Sequence, residues 1–213
     1  MNMPHVLIIG ATKGIGLETV RQAVAVGHRV RAFSRSANQM SDVDANVERR
    51  RGDALNEADV DAALDDIDVV VQALGVRASG LFQPVSLFSD ATRILVSAME
   101  RRGIKRLIAV TGFGAGDSRD AISCLQLVPF RLFLGRAYDD KDVQERIIKN
   151  SKLDWTIVRP GILTNGPRSG HCKVLVEPSQ WHNGFISRLD VTDFITHSIN
   201  SEEYVHQAPV LVS

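Results

Sequence analysis

Val6-Leu7-Ile8-Ile9-Gly10-Ala11-Thr12-Lys13-Gly14-Ile15-Gly16 is an apolar run that leads directly into a glycine-rich turn. Four consecutive apolar residues are typical of a strand buried on both faces of a parallel sheet. We expect Gly10 to allow a tight exit from the strand, Gly14 to let backbone approach a pyrophosphate, and Gly16 to let the next helix pack closely. The N-terminus of that helix would offer N–H groups and a positive dipole end to the phosphates. The stretch therefore predicts a dinucleotide cradle that includes Thr12, Lys13 and Ile15.

Composition favours an α/β protein of one domain, 1–213, because 44% of the 213 residues are hydrophobic. The 25 basic and 25 acidic residues balance, so nothing favours a nucleic-acid or membrane partner. Cys124 and Cys172 are too few for a disulfide framework and indicate a reducing compartment. No basic segment precedes the first apolar run, which therefore predicts a strand rather than a signal peptide. We expect a cytoplasmic monomer or homodimer that acts on a small molecule.

Strand and helix patterns alternate along the chain without a linker or a repeat. This order predicts a doubly wound parallel sheet of the Rossmann type with helices on both faces. The predicted strands cover 6–9, 30–33, 47–51, 68–74, 107–111, 155–158 and 209–212. The predicted helices are one closed by Gly27, one capped by Asn56, one ending at Gly103, one over 142–150, and a late one capped by Asp190 with Asp193.

The choice between NAD and NADP is expected at the end of the second strand. An NAD-selective site has an acidic residue there for the ribose 2′-OH, whereas a 2′-phosphate requires positive charge and no carboxylate. This chain has Ser34-Arg35-Ser36 at that place. Arg35 would bind the phosphate through its planar guanidinium, Ser34 would add a hydroxyl, and Lys13 would join them from the turn. We therefore predict NADP(H); the alternative is that Arg35 and Lys13 are solvated surface charges.

Further segments extend the pattern beyond the opening turn: Arg51-Gly52-Asp53-Ala54, Ala73-Leu74-Gly75, 153–163 with Pro160-Gly161-Ile162, and 186–191. With that turn they resemble the short-chain dehydrogenase/reductase superfamily. The resemblance is closer to its atypical NAD(P)H-binding branch, which includes NmrA-like and biliverdin/flavin reductase-like proteins. It covers nearly the whole chain. It implies that Asp53 and Ala54 lie at the adenine, 73–75 at the cofactor ribose, and 160–162 at the nicotinamide.

The catalytic residues depart from the superfamily's usual pattern. Standard members place a Tyr and a Lys four residues apart on a helix, with a Ser nearby, whereas Tyr138 and Lys141 are three apart. This step turns Tyr138 by about 100° around the helix and disfavours it as proton donor. The resemblance implies that Lys141 bridges the nicotinamide ribose hydroxyls. Thr111 ends a central strand, where it either orients substrate or satisfies local backbone, and Glu145 is expected to pair with Lys141.

The stretch 114–137 is long for a connection and rich in apolar residues. It predicts either a lid over the nicotinamide end or a core-packing helix or dimer contact. Trp181 and Phe185 are candidates for the wall of the same pocket. His171, Cys172 and His182 lack the spacing of metal ligands, so we predict no metal site.

Hydride transfer from reduced nicotinamide leaves negative charge on the acceptor, which needs a proton or a hydrogen bond. The sequence therefore predicts an NADPH-dependent oxidoreductase acting on a small apolar or aromatic acceptor, such as a quinone, flavin or carbonyl. The competing hypothesis is a regulator or assembly factor that binds NADP(H) without turnover, because fold alone does not separate the two.

Overall fold

The computed structural model describes residues 3–41, 43–75, 86–121 and 124–213, and of residues 124–136 it describes the backbone only. The strands are β1 His5–Ile9, β2 Arg29–Ser34, β3 Glu48–Arg51, β4 Val69–Gln72, β5 Arg106–Val110, β6 Asp154–Pro160, β7 Ile162–Thr164, β8 Lys173–Leu175, β9 Phe185–Ser187 and β10 Val210–Val212. The helices are α1 Gly14–Ala25, α2 Glu57–Ala63, α3 Leu87–Arg102, α4 Cys124–Lys149 and α5 Arg188–Ile199.

Eight strands form the central sheet in the order β3-β2-β1-β4-β5-β6-β10-β8. All neighbours are parallel except β8, which runs antiparallel to β10. The chain leaves β1 towards β2 and β3 on one side and returns to β4 on the other. This confirms the predicted Rossmann-type sheet and places the topological switch point, where ligands of open sheets bind, at the carboxyl ends of β1 and β4.

Both faces of the sheet are covered, which explains the uninterrupted apolar run of β1. Leu7 and Ile9 pack into one core with residues of α2, α3 and α4. Val6 and Ile8 point to the opposite face and pack with residues of α1 and α5. Because successive strand residues alternate between faces, residues 6–9 of β1 must all be apolar to bury both sides.

Helix α4 is much longer than the prediction of 142–150, since it begins at Cys124. The predicted connection over 114–137 is thus wrong for 124–137, which is helical. The alternative prediction, that this stretch forms a helix, is correct for the backbone of 124–137. Contacts of the side chains of 124–136, and with them the lid or dimer role, lie outside the described residues.

The late helix starts differently from the prediction. Its N-cap is Ser187, whose hydroxyl accepts a hydrogen bond from the Asp190 N–H at 3.0 Å and donates to Asp190 Oδ2 at 2.7 Å. Asp190 is therefore bonded to the N-cap residue through both its N–H and its carboxylate, rather than being the cap itself. Asp193 instead pairs with Arg168 at 2.8 Å.

The segment between β6 and α5 contains three short strands that sequence analysis did not predict. β7 and β9 form a separate two-stranded parallel sheet, and β8 joins the main sheet beside β10. Each is only three residues long, too short for an alternating pattern to show. In the part of the chain that the structure describes, no helix combines the length and hydropathy needed to span a membrane.

Candidate cofactor-binding and active site

The glycine turn packs tightly between the ends of β2 and β4. The Gly10 N–H donates to the Phe33 carbonyl at 3.0 Å, and a Cβ added to Gly10 would lie 2.5 Å from the Ala73 carbonyl oxygen. A Cβ on Gly16 would lie 2.2 Å from the Gly10 carbonyl oxygen. A side chain at Gly10 would therefore push the turn away from the end of β4, and one at Gly16 would push α1 away from the turn.

Gly14 differs from the other two glycines because it faces open space. Its φ is +54°, and within the part of the chain that the structure describes the only neighbour of an added Cβ would be Arg188 Nε at 3.8 Å. It begins α1, whose N-cap, the exposed Lys13, makes no side-chain capping bond. The first turn contains no acidic residue. Among the described residues its N–H groups thus lack side-chain acceptors, so the residues present fit the phosphates of a dinucleotide.

Thr12 and Ile15 are half-buried on either side of this cradle. Farther along the same edge of the sheet, the ends of β2 and β3 are joined by a hydrogen bond from the Gly52 N–H to the Ser34 carbonyl, 3.1 Å. Arg35 is exposed, and the Ser34 hydroxyl accepts from the Ser36 N–H at 3.2 Å. The residues predicted for the 2′-phosphate thus lie beside the glycine turn.

The predicted adenine position is held by a local turn. Asp53 Oδ1 accepts from the Leu55 N–H at 3.0 Å, and the Asp53 N–H donates to Asp59 Oδ2 at 2.9 Å. Asp53 is half-buried, whereas Ala54 is buried in the core. Asp53 is therefore positioned at the carboxyl end of β3, at the same edge as Arg35.

The ends of β4 and β6 carry the other predicted cofactor contacts. Ala73 and Leu74 are half-buried and Gly75 is exposed, with no atom of the described residues within 4 Å of an added Cβ. After β6, a Cβ on Gly161 would lie 2.3 Å from the Gly184 carbonyl oxygen. The Pro160 carbonyl accepts from the Phe113 N–H at 2.9 Å, which ties this turn to the end of β5.

Lys141 and Tyr138 extend from α4 to the end of β5. The ammonium of Lys141 donates to the Thr111 carbonyl and lies 5.1 Å from the centroid of the Phe88 ring and 5.3 Å from that of the Tyr138 ring. Burial lowers the pKa of Lys141 to about 8, although the Glu145 charge opposes this shift. Lys141 therefore lies at the ligand-binding edge of the sheet. With a pKa of about 8 it is mostly protonated at neutral pH and begins to lose its proton just above it.

Tyr138 lies against the Gly112 backbone. A Cβ added to Gly112 would lie 2.6 Å from the Tyr138 hydroxyl, so only glycine fits there. Burial raises the pKa of Tyr138 to about 12. In standard members of the superfamily that the chain resembles, the lysine instead lowers the pKa of the tyrosine and favours tyrosinate. At neutral pH Tyr138 keeps its proton and is a hydrogen-bond donor.

A buried ion pair lies next to Thr111, the residue whose carbonyl binds Lys141. Arg159 on β6 donates to Glu145 on α4 at 3.0 Å from Nε and 2.5 Å from its terminal nitrogen, and it also contacts Asp117. Thr111 Oγ1 donates to Glu145 Oε1 at 2.8 Å. The expectation that Glu145 pairs with Lys141 is therefore wrong. Sequence analysis missed Arg159, although a charge within a buried strand signals a required partner.

Asp140 is a second residue that sequence analysis missed. Its carboxylate accepts from the N–H groups of Phe88 at 2.8 Å and Ser89 at 3.3 Å, in the first turn of α3. It is 6% exposed. A carboxylate at a helix N-terminus satisfies unpaired N–H groups and the dipole. Asp140 thereby fixes the turn of α4 that carries Tyr138 and Lys141, and nothing in the local sequence indicates this distant partner.

The remaining candidate residues lie around the segment between β6 and α5. The Trp181 ring covers the Arg159 guanidinium at 5.0 Å, and Phe185 is 64% exposed beside Ile162. His171 and His182 are exposed, and burial raises the pKa of the Cys172 thiol to about 11. Among the described residues, no three His, Cys, Asp or Glu side chains come together as metal ligands.

Comparison with known proteins agrees with this geometry. A family model described as NAD(P)H-binding matches residues 10–202. An uncharacterized chloroplastic protein of Arabidopsis thaliana is 30% identical over 208 residues, covering 93% of this chain and 72% of that protein. The photosystem II assembly factor Ycf39 of Synechocystis is 23% identical over 220 residues, and the matched region covers 98% of this chain but 63% of that protein.

Among solved structures, ChuY, an anaerobilin reductase from Escherichia coli O157:H7, has a TM-score of 0.83 and 28% identity, over 98% of this chain and 96% of that one. The structural similarity therefore extends over nearly the whole chain.

Proposed function

The chain belongs to the NAD(P)H-binding family, and from that premise we propose that it is an NADPH-dependent oxidoreductase acting on a small apolar or aromatic acceptor. Its fold is that of NAD(P)H-binding oxidoreductases. The observation that carries the proposal is the bond from the Lys141 ammonium to the Thr111 carbonyl. This bond holds the Lys141 cation next to the Tyr138 phenol, at the edge of the sheet where the phosphate cradle lies.

In this proposal the cofactor lies along the carboxyl ends of the strands. The turn containing Gly10, Thr12, Lys13, Gly14 and Ile15 holds the phosphates. Other segments hold the rest of the molecule: Ser34 and Arg35 the 2′-phosphate, Asp53 and Ala54 the adenine, Ala73, Leu74 and Gly75 a ribose, Lys141 the nicotinamide ribose, and Pro160, Gly161 and Ile162 the nicotinamide. When bound, NADPH supplies the hydride.

The residues of α4 supply the compensation for the charge that develops on the acceptor. Tyr138 keeps its proton because burial raises its pKa to about 12, so it donates a hydrogen bond. Lys141 contributes positive charge in a site of low dielectric constant. Thr111 acts by positioning: its carbonyl binds Lys141 and its hydroxyl binds Glu145, so it fixes the base of the site.

The apolar surface beside the proposed nicotinamide end supports the proposed acceptor class. Ile162 and Phe185 are neighbours in register on β7 and β9 and are 48% and 64% exposed. Exposed apolar pairs at the rim of a site are typical of surfaces that bind flat or apolar ligands. A quinone, flavin or aromatic carbonyl fits this surface, and the reductase activity named for ChuY supports the reaction class.

A turnover screen tests this proposal. NADPH oxidation is followed at saturating cofactor with quinones, flavins and aldehydes, for the wild type and for Lys141→Ala. We expect at least one acceptor to be reduced and the variant to lose most of this activity. Oxidation by no acceptor, despite tight NADPH binding, would contradict the enzyme proposal.

That last outcome would favour the second candidate, an NADP(H)-binding regulator or assembly factor. Two observations support this candidate: the relative Ycf39 is named as an assembly factor, and the Thr111 hydroxyl is bonded to Glu145. Under this alternative, Lys141→Ala changes cofactor affinity while no acceptor is turned over by either protein.

A further inference from the structure

The arginines at the ends of β2 and β3 differ from the others in the molecule. Among the described side chains, Arg35, Arg50 and Arg51 have no hydrogen-bond or ion-pair partner. Every other described arginine has at least one, whether a carboxylate, a carbonyl or another polar oxygen. The unpartnered arginines of the described side chains are thus concentrated at one corner of the sheet.

Strand register separates these arginines into two groups. Arg51 is paired with Ser34 and Arg50 with Phe33. Phe33 packs into the core shared with α2, so Ser34 and Arg51 point to the opposite face, towards α1. Arg49, which belongs to that same face, is already bonded to the Met40 carbonyl at 3.1 Å. Arg51 is therefore the unpartnered β3 cation on the face of the glycine turn.

Backbone bonds place Arg51 close to the predicted 2′-phosphate position. The Gly52 N–H donates to the Ser34 carbonyl at 3.1 Å, and the Gly10 N–H donates to the Phe33 carbonyl at 3.0 Å. The ends of β1, β2 and β3 are thus bonded in series. Lys13, Arg35 and Arg51 come from three different segments of this corner, and all three are exposed.

We propose that Arg51 is a second ligand of the cofactor 2′-phosphate, which it binds together with Arg35. This inference rests on the proposed function, because it assumes that NADP(H) binds along the strand ends. A phosphate monoester near neutral pH carries close to two negative charges and three acceptor oxygens, enough for two guanidinium groups. The 2′-hydroxyl of NAD carries neither, so two unpaired arginines favour NADP and would be of no use to NAD.

Binding of cofactor fragments to the full chain tests the proposal without relying on turnover. Isothermal titration calorimetry compares adenosine 2′,5′-bisphosphate with AMP, which lacks the 2′-phosphate. We expect Arg51→Ala to weaken bisphosphate binding about tenfold, the effect of one charge-assisted contact, and to leave AMP binding unchanged. Arg50→Ala is the matched control, with the same charge change one residue away on the other face, and should alter neither.

Three results would overturn the proposal. Equal weakening by Arg50→Ala and Arg51→Ala would show that only general positive potential matters, and unchanged bisphosphate binding in Arg51→Ala would exclude the contact. If Arg35→Ala weakens the bisphosphate while Arg51→Ala does not, the Arg51 role fails but the NADP preference stands. If the wild type binds both fragments equally, the Arg51 role and the proposed NADP preference fail together.

Discussion

Glu145 and Arg159 form an ion pair in which the side chains are 1% and 0% exposed, so α4 and β6 are joined by charges that water does not reach. The same carboxylate accepts the Thr111 hydroxyl. Three elements around the candidate active site therefore depend on one buried carboxylate.

Replacing Glu145 by alanine should destabilise the protein by about 3 kcal/mol, because among the described residues it leaves the buried Arg159 charge with only Asp117 as an ionic partner. The free energy of unfolding is measured in urea. Thr111→Val, which removes a single hydrogen bond to the same carboxylate, serves as the comparison and should cost about 1 kcal/mol. Equal losses in the two variants would contradict the importance of the ion pair.

Gly14→Ala should abolish NADPH binding while the fold survives. Gly14 and Gly103 both have left-handed φ, +54° and +72°, and neither has an atom near enough to obstruct a Cβ. Each alanine variant should therefore lose about 1 kcal/mol of stability. Only Gly14→Ala puts a methyl group in the proposed phosphate cradle. Thermal unfolding and fluorescence titration with NADPH measure both effects, and retained NADPH binding in Gly14→Ala would argue against the cradle.

Arg35→Ala should weaken NADPH binding at least tenfold more than NADH binding, because the guanidinium would lose its charge-assisted contact with the 2′-phosphate. Dissociation constants for both cofactors at one fixed ionic strength provide the measurement. Arg29→Ala, an exposed arginine at the start of β2, is a control far from the cradle. Equal weakening of both cofactors in Arg35→Ala would refute the 2′-phosphate role.

Lys141 should make stability depend on pH in the alkaline range. Its pKa is lowered from 10.5 to about 8 by burial, so between these values the unfolded chain binds more protons than the folded one. The free energy of unfolding contributed by Lys141 therefore rises as pH increases from about 8 to 10.5. The difference between wild type and Lys141→Met, followed by urea unfolding across this range, isolates the effect. A difference that stays constant with pH would show that Lys141 is not desolvated.

The first strand, turn and helix could be predicted because their determinants are local. Residues 6–9 show burial on both faces, and the glycines that follow mark the positions of closest approach. The start of α4 could not be predicted, since Pro129 interrupts the helical pattern in its first turns. The three-residue strands β7, β8 and β9 form only because β6 and α5 are already in place.

The ion pair at the base of the candidate site could not be predicted for another reason. Glu145 and Arg159 lie on different elements, and only the packing of α4 on β5 and β6 reveals them as partners. The same holds for Asp140, whose partners lie at the start of α3, 52 and 51 residues earlier in the chain. Local spacing suggested Lys141 as the partner of Glu145, but the buried arginine forms the stronger contact.

Helix α4 carries Tyr138, Asp140, Lys141 and Glu145 within little more than two turns, and these residues contact the end of β5, the start of α3 and β6. Recombination between relatives is constrained as a result. A chimera that receives α4 from another member of the family must also receive the matching residue at 159 and the first turn of α3. Crossovers placed after β6 keep these contacts within one parent, whereas a crossover between α4 and β6 separates the two halves of the ion pair.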